Sequence, residues 1–150
     1  MAEELMPDNF KVEDCLGFIA NRLVRGFQKS FDGLLNGYGL TSAQFCVLAK
    51  LYEKEGLTQT ELASRLFIES PTLVRTLDRM ETADFIERRR APGDRRAYHI
   101  YLLPKGQALR DVVNRVGREI NEKATRSMAD KDVESLRRYL RIIWDNLELG

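Results

Sequence analysis

The run from Leu57 to Met80 carries two helix start signals so close together that few folds can hold it. It reads Leu57-Thr58-Gln59-Thr60-Glu61-Leu62-Ala63-Ser64-Arg65-Leu66, a short break, then Ser70-Pro71-Thr72-Leu73-Val74-Arg75-Thr76-Leu77-Asp78-Arg79-Met80. Thr58 and Glu61 form a capping box, each side chain satisfying an amide that a first helical turn leaves orphaned. Ser70 is expected to cap a second helix, with Pro71 at its first position, where a missing N–H costs nothing. Two short helices joined by such a break follow the helix-turn-helix plan, whose second helix enters the major groove of DNA.

The next segment predicts a β-hairpin. Phe85 to Arg90 reads as one strand, and Tyr98, Ile100 and Leu102 alternate with His99 and Tyr101 as a second. Between them Ala91-Pro92-Gly93-Asp94 places Pro and Gly at the centre of a type II turn. From Arg88 to Arg96 the hairpin holds five arginines against Asp94 alone. A tip with that excess suits phosphate or a narrow minor groove better than a core.

The flanks supply hydrophobic stripes. Val12, Leu16, Ile19, Leu23 and Phe27 predict an N-terminal helix of about seven turns. Leu109, Val112 or Val113, Val116 and Ile120 predict another, and Val133, Leu136, Leu140, Ile143 and Leu147 have the seam spacing of a coiled-coil-like contact. A second copy of the chain is the natural partner for these stripes, giving a two-fold homodimer. Thr41 and Gln44 make another capping box, which opens a bridging helix through Phe45 and Cys46 to Tyr52. The expected fold is mainly α with a small β-hairpin wing. A winged helix-turn-helix core with its bridging helix (41–103) is flanked by dimerisation helices (10–38 and 104–147), all in one domain over 1–150. The two ends are expected to be loose.

This chain resembles the MarR/SlyA family of winged-helix transcription regulators. The likeness rests on Leu73-Val74-Arg75-Thr76-Leu77-Asp78, on Asp94-Arg95-Arg96-Ala97, and on Arg22-Leu23-Val24-Arg25, which matches the SlyA branch. The resemblance extends over roughly Cys15 to Leu147. Leu103-Pro104 departs from the family's pattern, in which a threonine caps the helix after the wing, so Pro104 is left as the start signal; Gly106 keeps the family's glycine. The resemblance implies a homodimeric repressor that binds a palindromic operator and releases it on binding a small aromatic or phenolic effector.

Leu73, Leu77 and Met80 share the inward face of the second helix, and Ser70, Thr72, Arg75, Thr76 and Arg79 the outer one. Arginine can donate bidentately to guanine, and Arg75 is the expected base reader. Its alternative is a solvated face on which Arg75 and Arg79 merely balance Asp78, Glu81 and Asp84. In the wing, Arg96 matches the arginine that the resemblance places in the minor groove. Arg90 and Arg95 are candidate phosphate contacts, and Asp94 is expected to orient a neighbouring arginine by an ion pair. Arg88 and Arg89 alternate on a strand, so only one of them can face solvent. Arg22, Arg25, Phe27 and Phe45 are the candidates to line an effector crevice, with a core role as the alternative for the aromatics.

Other functions find less support. The net charge is only +1, so nucleic-acid affinity must come from local clusters. His99 is the single histidine, which leaves no Cys/His metal set or histidine-based catalytic dyad, and no Gly-rich phosphate loop is present. The chain is expected to be no enzyme and to need neither metal nor cofactor. Without a signal peptide or a membrane-length apolar run, it is expected in the cytoplasm, off the membrane. Cys15 raises thiol-based redox sensing, which one branch of the family performs. An ungapped count back from Leu40-Thr41 places that branch's cysteine at Gly17 and its tyrosine at Phe31, so neither matches. Glu13 and Asp14 also oppose a thiolate at Cys15. Cys46 is expected in the core. The competing class is a protein-interaction module whose arginine-rich wing docks an acidic partner.

Overall fold

The computed structural model describes residues 10–148. It divides into a unit that ends at Val116 and a unit that begins at Gly117. Helix α1 (Leu16–Leu35) is shorter than the stripe predicts. Cys15 is extended, and Val12–Asp14 form a separate 3-10 turn, so Val12 lies outside the helix. Helix α2 (Ser42–Glu53) begins at the expected capping box. The Gln44 amide donates to Thr41 Oγ1 at 3.2 Å, and the Thr41 amide donates to Gln44 Oε1 at 3.0 Å.

Strand β1 (Leu57–Thr58) runs directly into α3 (Gln59–Leu66), whose capping box repeats that geometry with Thr58 and Glu61. Hydrogen bonds from Thr58 hold the Glu61 carboxyl below its usual pKa. Helix α4 (Ser70–Thr82) starts one residue earlier than the sequence suggests. Glu69 is its N-cap, and the carbonyl of Glu69 accepts from the Thr72 and Leu73 amides. Ser70 is therefore the first helical residue rather than the cap. Pro71 still falls in the first turn, where its missing donor is harmless.

Both helices of the pair end without glycine. Phe67 closes α3 at φ 53° and Asp84 follows α4 at φ 60°, each in the left-handed region. In both places a Schellman motif forms: Ile68 N–H reaches Ala63 O at 3.1 Å, and Phe85 N–H reaches Met80 O at 2.9 Å. Asp tolerates this conformation better than a bulky aromatic does. Phe67 is also 73% exposed, so deep burial does not offset its strain. Phe67→Gly is therefore expected to stabilise the fold by about 1 kcal/mol, read as a raised denaturant midpoint at unchanged slope.

The sheet has the order β1-β3-β2 and is antiparallel, with β2 at Ile86–Ala91 and β3 at Asp94–Leu102. The hairpin expectation holds: Ile86 pairs with Leu102, and Ala91 with Asp94 across the turn. Gly93 at φ 93° supplies the positive dihedral that the turn needs. The two-residue β1, where Leu57 pairs with Ile100, was not anticipated. It is too short for any alternation to show.

The core of this unit joins Val47, Leu48 and Leu51 from α2 and Leu62 from α3 with Leu73, Leu77 and Met80 from α4. Leu57, Phe85, Ile86 and Ile100 complete it from the sheet side. Cys46 lies on the exposed side of α2, contrary to the expectation of a core position. Phe45 packs on Phe31, with ring centroids 4.9 Å apart.

Pro104 begins α5 (Pro104–Gln107), a single turn that breaks before α6 (Arg110–Thr125). Tyr52 Oη donates to Gly106 O at 2.6 Å, and the Arg110 guanidinium sits over the Tyr52 ring at 4.9 Å. Burial pushes the Tyr52 phenol up to about 12, with Arg110 pulling it down. A raised folded-state value favours the neutral phenol. Its contribution is thus complete below the ordinary phenol range and is lost as pH rises toward 12. Tyr52→Phe is expected to cost about 1 kcal/mol near neutrality and to flatten the alkaline fall in stability, as denaturant titrations at several pH values would show.

The second unit contains the end of α6 and helix α7 (Asp130–Glu148). Val133 and Ile143 are half-buried, whereas Leu136, Leu140 and Leu147 are exposed. The α1 stripe is likewise open at Leu16, Ile19, Leu23 and Phe27. Among the described residues no helix is long and apolar enough to cross a membrane.

Candidate nucleic-acid interface

Burial of Leu73, Leu77 and Met80 fixes how α4 is rotated, and that rotation decides what faces outward. Ser70, Thr72, Arg75 and Arg79 are exposed, while Thr76 is half-buried. The Thr76 hydroxyl donates back to Thr72 O at 3.2 Å, which leaves its oxygen able to accept. Neither Arg75 nor Arg79 makes an ion pair among the described residues. Two of the carboxylates expected to balance them, Asp78 and Glu81, are held from another direction.

That direction is Arg88 on β2. Its guanidinium reaches Asp78 Oδ1 at 2.7 Å and Glu81 Oε2 at 3.0 Å. The strand alternation expected for the arginine pair is present: Arg88 turns inward and Arg89 outward. Arg89 lies over the Tyr101 ring at 4.6 Å and pairs with Glu87, which raises its pKa. Two of the three carboxylates of the solvated-face reading, Asp78 and Glu81, are thus paired, but with Arg88 rather than with Arg75 or Arg79.

The wing arginines divide by role. Arg90 stacks over Tyr98 at 4.9 Å, donates to its hydroxyl at 2.9 Å and also reaches Arg95 O at 3.2 Å. It braces the hairpin as well as presenting charge. Arg95 and Arg96 are exposed at the tip and make no ion pair among the described residues. Among the described residues Asp94 does not form the expected ion pair. Its Oδ1 instead accepts the Arg96 backbone amide at 3.0 Å, an Asx-turn bond that shapes the tip and leaves both guanidinium groups open. A pattern of residue types cannot separate a side-chain partner from a backbone one.

The proposed effector arginines lie on a different side of α1 from the proposed aromatics. Arg22 and Arg25 are neighbours on α1, but at 3.6 residues per turn Phe27 lies roughly 140–160° round the helix from them. Phe45 is turned onto Phe31. Both cysteines are free thiols among the described residues. Cys15 is half-buried, and the protein around Cys46 raises its thiol pKa despite the exposed surface, with Lys50 opposing. Among the described residues no group of three or more His, Cys, Asp or Glu could hold a metal ion.

Residues 40–98 match the MarR family. The HTH-type transcriptional regulator TtmR of Methylorubrum extorquens (strain PA1) is 34% identical over 110 residues, covering 73% of this chain and 56% of the relative. This chain therefore spans little more than half of that relative's length. The organic hydroperoxide resistance transcriptional regulator of Bacillus subtilis (strain 168) is 33% identical over 104 residues, which are 69% of this chain and 71% of that protein. Among solved structures, a mutant MarR from E. coli complexed with operator DNA superposes with a TM-score of 0.80 at 25% identity, covering 85% of this chain and 92% of that one. The winged helix-turn-helix arrangement, the matched segment and these relatives together place the chain in the MarR family of transcriptional regulators.

Proposed function

We propose that the protein is a sequence-specific, DNA-binding transcription regulator that acts as a homodimeric repressor on a palindromic operator. The observation that carries this reading is the state of the outward arginines. Arg75 and Arg79 on α4, and Arg95 and Arg96 at the wing tip, are exposed and make no ion pair among the described residues, in a chain of net charge +1. Arg75 reads a base edge in the major groove, with Ser70, Thr72, Thr76 and Arg79 beside it. Arg96 enters the adjacent minor groove, and Arg90 and Arg95 meet phosphate. The exposed stripes of α1 and α7 suit a two-fold partner, which would set two α4 helices about one DNA turn apart.

Release by a small aromatic anion belongs to the same reading. Because Arg22 and Arg25 lie on a different side of α1 from Phe27, a crevice that uses all four residues would draw on the second copy.

Fluorescence anisotropy against the DNA upstream of the protein's own gene, beside a scrambled duplex and at two salt concentrations, tests the proposal. Tighter binding to the native site, weakening as salt rises, is expected. Equal weak binding to the native site, to the scrambled duplex and to sites enriched from a random pool would overturn it and favour a wing that docks an acidic protein.

A further inference from the structure

The best-connected side chain in the reading head faces away from solvent. Arg88 is 15% exposed, whereas Asp78 and Glu81, which it holds, are 57% and 41% exposed. One guanidinium nitrogen reaches Asp78 at 2.7 Å and also donates to Val74 O at 3.3 Å; the other reaches Glu81 at 3.0 Å. The Arg88 backbone amide donates to the second oxygen of the Glu81 carboxylate at 3.2 Å. One residue of β2 thus grips both acidic side chains of the middle and end of α4. The grip has a visible cost, since Arg88 Nε is buried with no hydrogen-bond partner among the described residues.

The sequence of α4 makes that grip consequential. Asp78 lies three residues from Arg75, the spacing at which side chains on a helix surface meet. Left alone, its carboxylate would face the very guanidinium expected to read a base, and would present bare negative charge to the phosphates. Arg88 approaches from the wing side, so it occupies Asp78 without occupying the outer face.

We infer that Arg88 is a positioning residue for DNA recognition: by holding Asp78 and Glu81 it keeps Arg75 unopposed at the groove. This inference rests on the DNA-binding reading above. It also makes a statement about the free protein, and the experiment uses both.

In the DNA arm, binding to a duplex carrying the upstream site is measured for wild type, Arg88→Met, Asp78→Asn and the double variant. Arg88→Met is expected to lose about tenfold in affinity, and adding Asp78→Asn to recover most of that loss. Asp78→Asn alone should gain much less, because its carboxylate is already held. A loss that Asp78→Asn does not relieve, or relieves equally in both backgrounds, overturns the inference, as does undiminished binding by Arg88→Met.

In the second arm, 15N relaxation of the Arg75 Nε–H is recorded without DNA. Arg75 is expected to be mobile in wild type, ordered in Arg88→Met, and mobile again in the double variant. Unchanged mobility throughout overturns the inference. If wild type binds no duplex specifically, the DNA-binding reading fails, and this arm alone decides whether Arg88 governs Arg75. Should Arg88→Met not fold, Arg88→Lys replaces it. A single ammonium cannot span both carboxylates and the Val74 carbonyl, so the same suppression by Asp78→Asn is expected at smaller amplitude.

Discussion

Arg75→Ala is expected to weaken binding to the specific duplex by about 1–3 kcal/mol while barely changing binding to scrambled DNA. The side chain projects from the exposed face of α4 and makes no ion pair among the described residues, so its removal disturbs no core contact. Stability should stay within about 0.5 kcal/mol of wild type, as is usual for surface positions. A guanidinium that donates to two acceptors of one guanine discriminates that base, so its loss should flatten preference at one position of each half-site. Arg96→Ala provides the contrast. Its guanidinium sits at a tip shaped by the Asp94 bond to the Arg96 amide, a bond that survives truncation of the side chain. Binding should weaken on all duplexes and the salt slope should shrink by about one, with the ranking of sequences kept unless an A·T tract flanks the site. Competition assays over a panel of single-base variants separate the two outcomes. Equal losses on specific and scrambled DNA for Arg75→Ala would remove it as base reader.

Gly106→Ala should be the most damaging small substitution in the fold. A methyl at this position would lie 2.2 Å from Phe85 O and 3.1 Å from its carbonyl carbon. Phe85 O is not free to retreat, because it accepts the Leu103 amide at 3.0 Å, and the Phe85 amide is itself bound to Met80 O. Moving α5 away instead would stretch the bond from Tyr52 Oη to Gly106 O. Either route strains hydrogen bonds of the packed fold, and a loss of about 3 kcal/mol or more is expected, lowering the melting temperature by roughly 10 °C. Gly33→Ala is the control. The same methyl on α1 meets nothing within 4 Å, and alanine is the better helix former by about 1 kcal/mol, so stability should hold or rise. Two Gly→Ala changes of opposite sign would identify close backbone approach, rather than glycine content, as the constraint. A Gly106→Ala variant as stable as wild type would mean that α5 packs less closely on Phe85.

What the sequence discloses about this chain is what is encoded locally. The capping boxes at Thr41–Gln44 and Thr58–Glu61 have the expected partners, because both residues of each box lie within one turn. The inward face of α4 follows from helical spacing alone. The Ser70 assignment slipped by one residue because a serine before proline looks like a cap whether or not the preceding carbonyl starts the helix. Features that depend on distant segments left no trace. Strand β1 exists only because β3 lies beside it, and the Arg88 clamp requires β2 to pack on α4. The left-handed Phe67 was hidden because composition leads a reader to look for glycine there. At the candidate site, residue types identified the outward arginines, but which partner each carboxylate takes is a property of the packed fold.

The brevity of β1 also bears on how the reading head assembles. The capped helices and the β2–β3 hairpin can each form from nearby residues on fast timescales. Pairing of Leu57 with Ile100 cannot, since α3, α4 and the hairpin turn all lie between them. The chain must close that loop before the contact returns any stabilisation, which is the step that slows folding in proteins with non-local strand pairs. The two residues ahead of α3 therefore act as a latch on the head, a contact expected to form after the helices and the hairpin that it ties together.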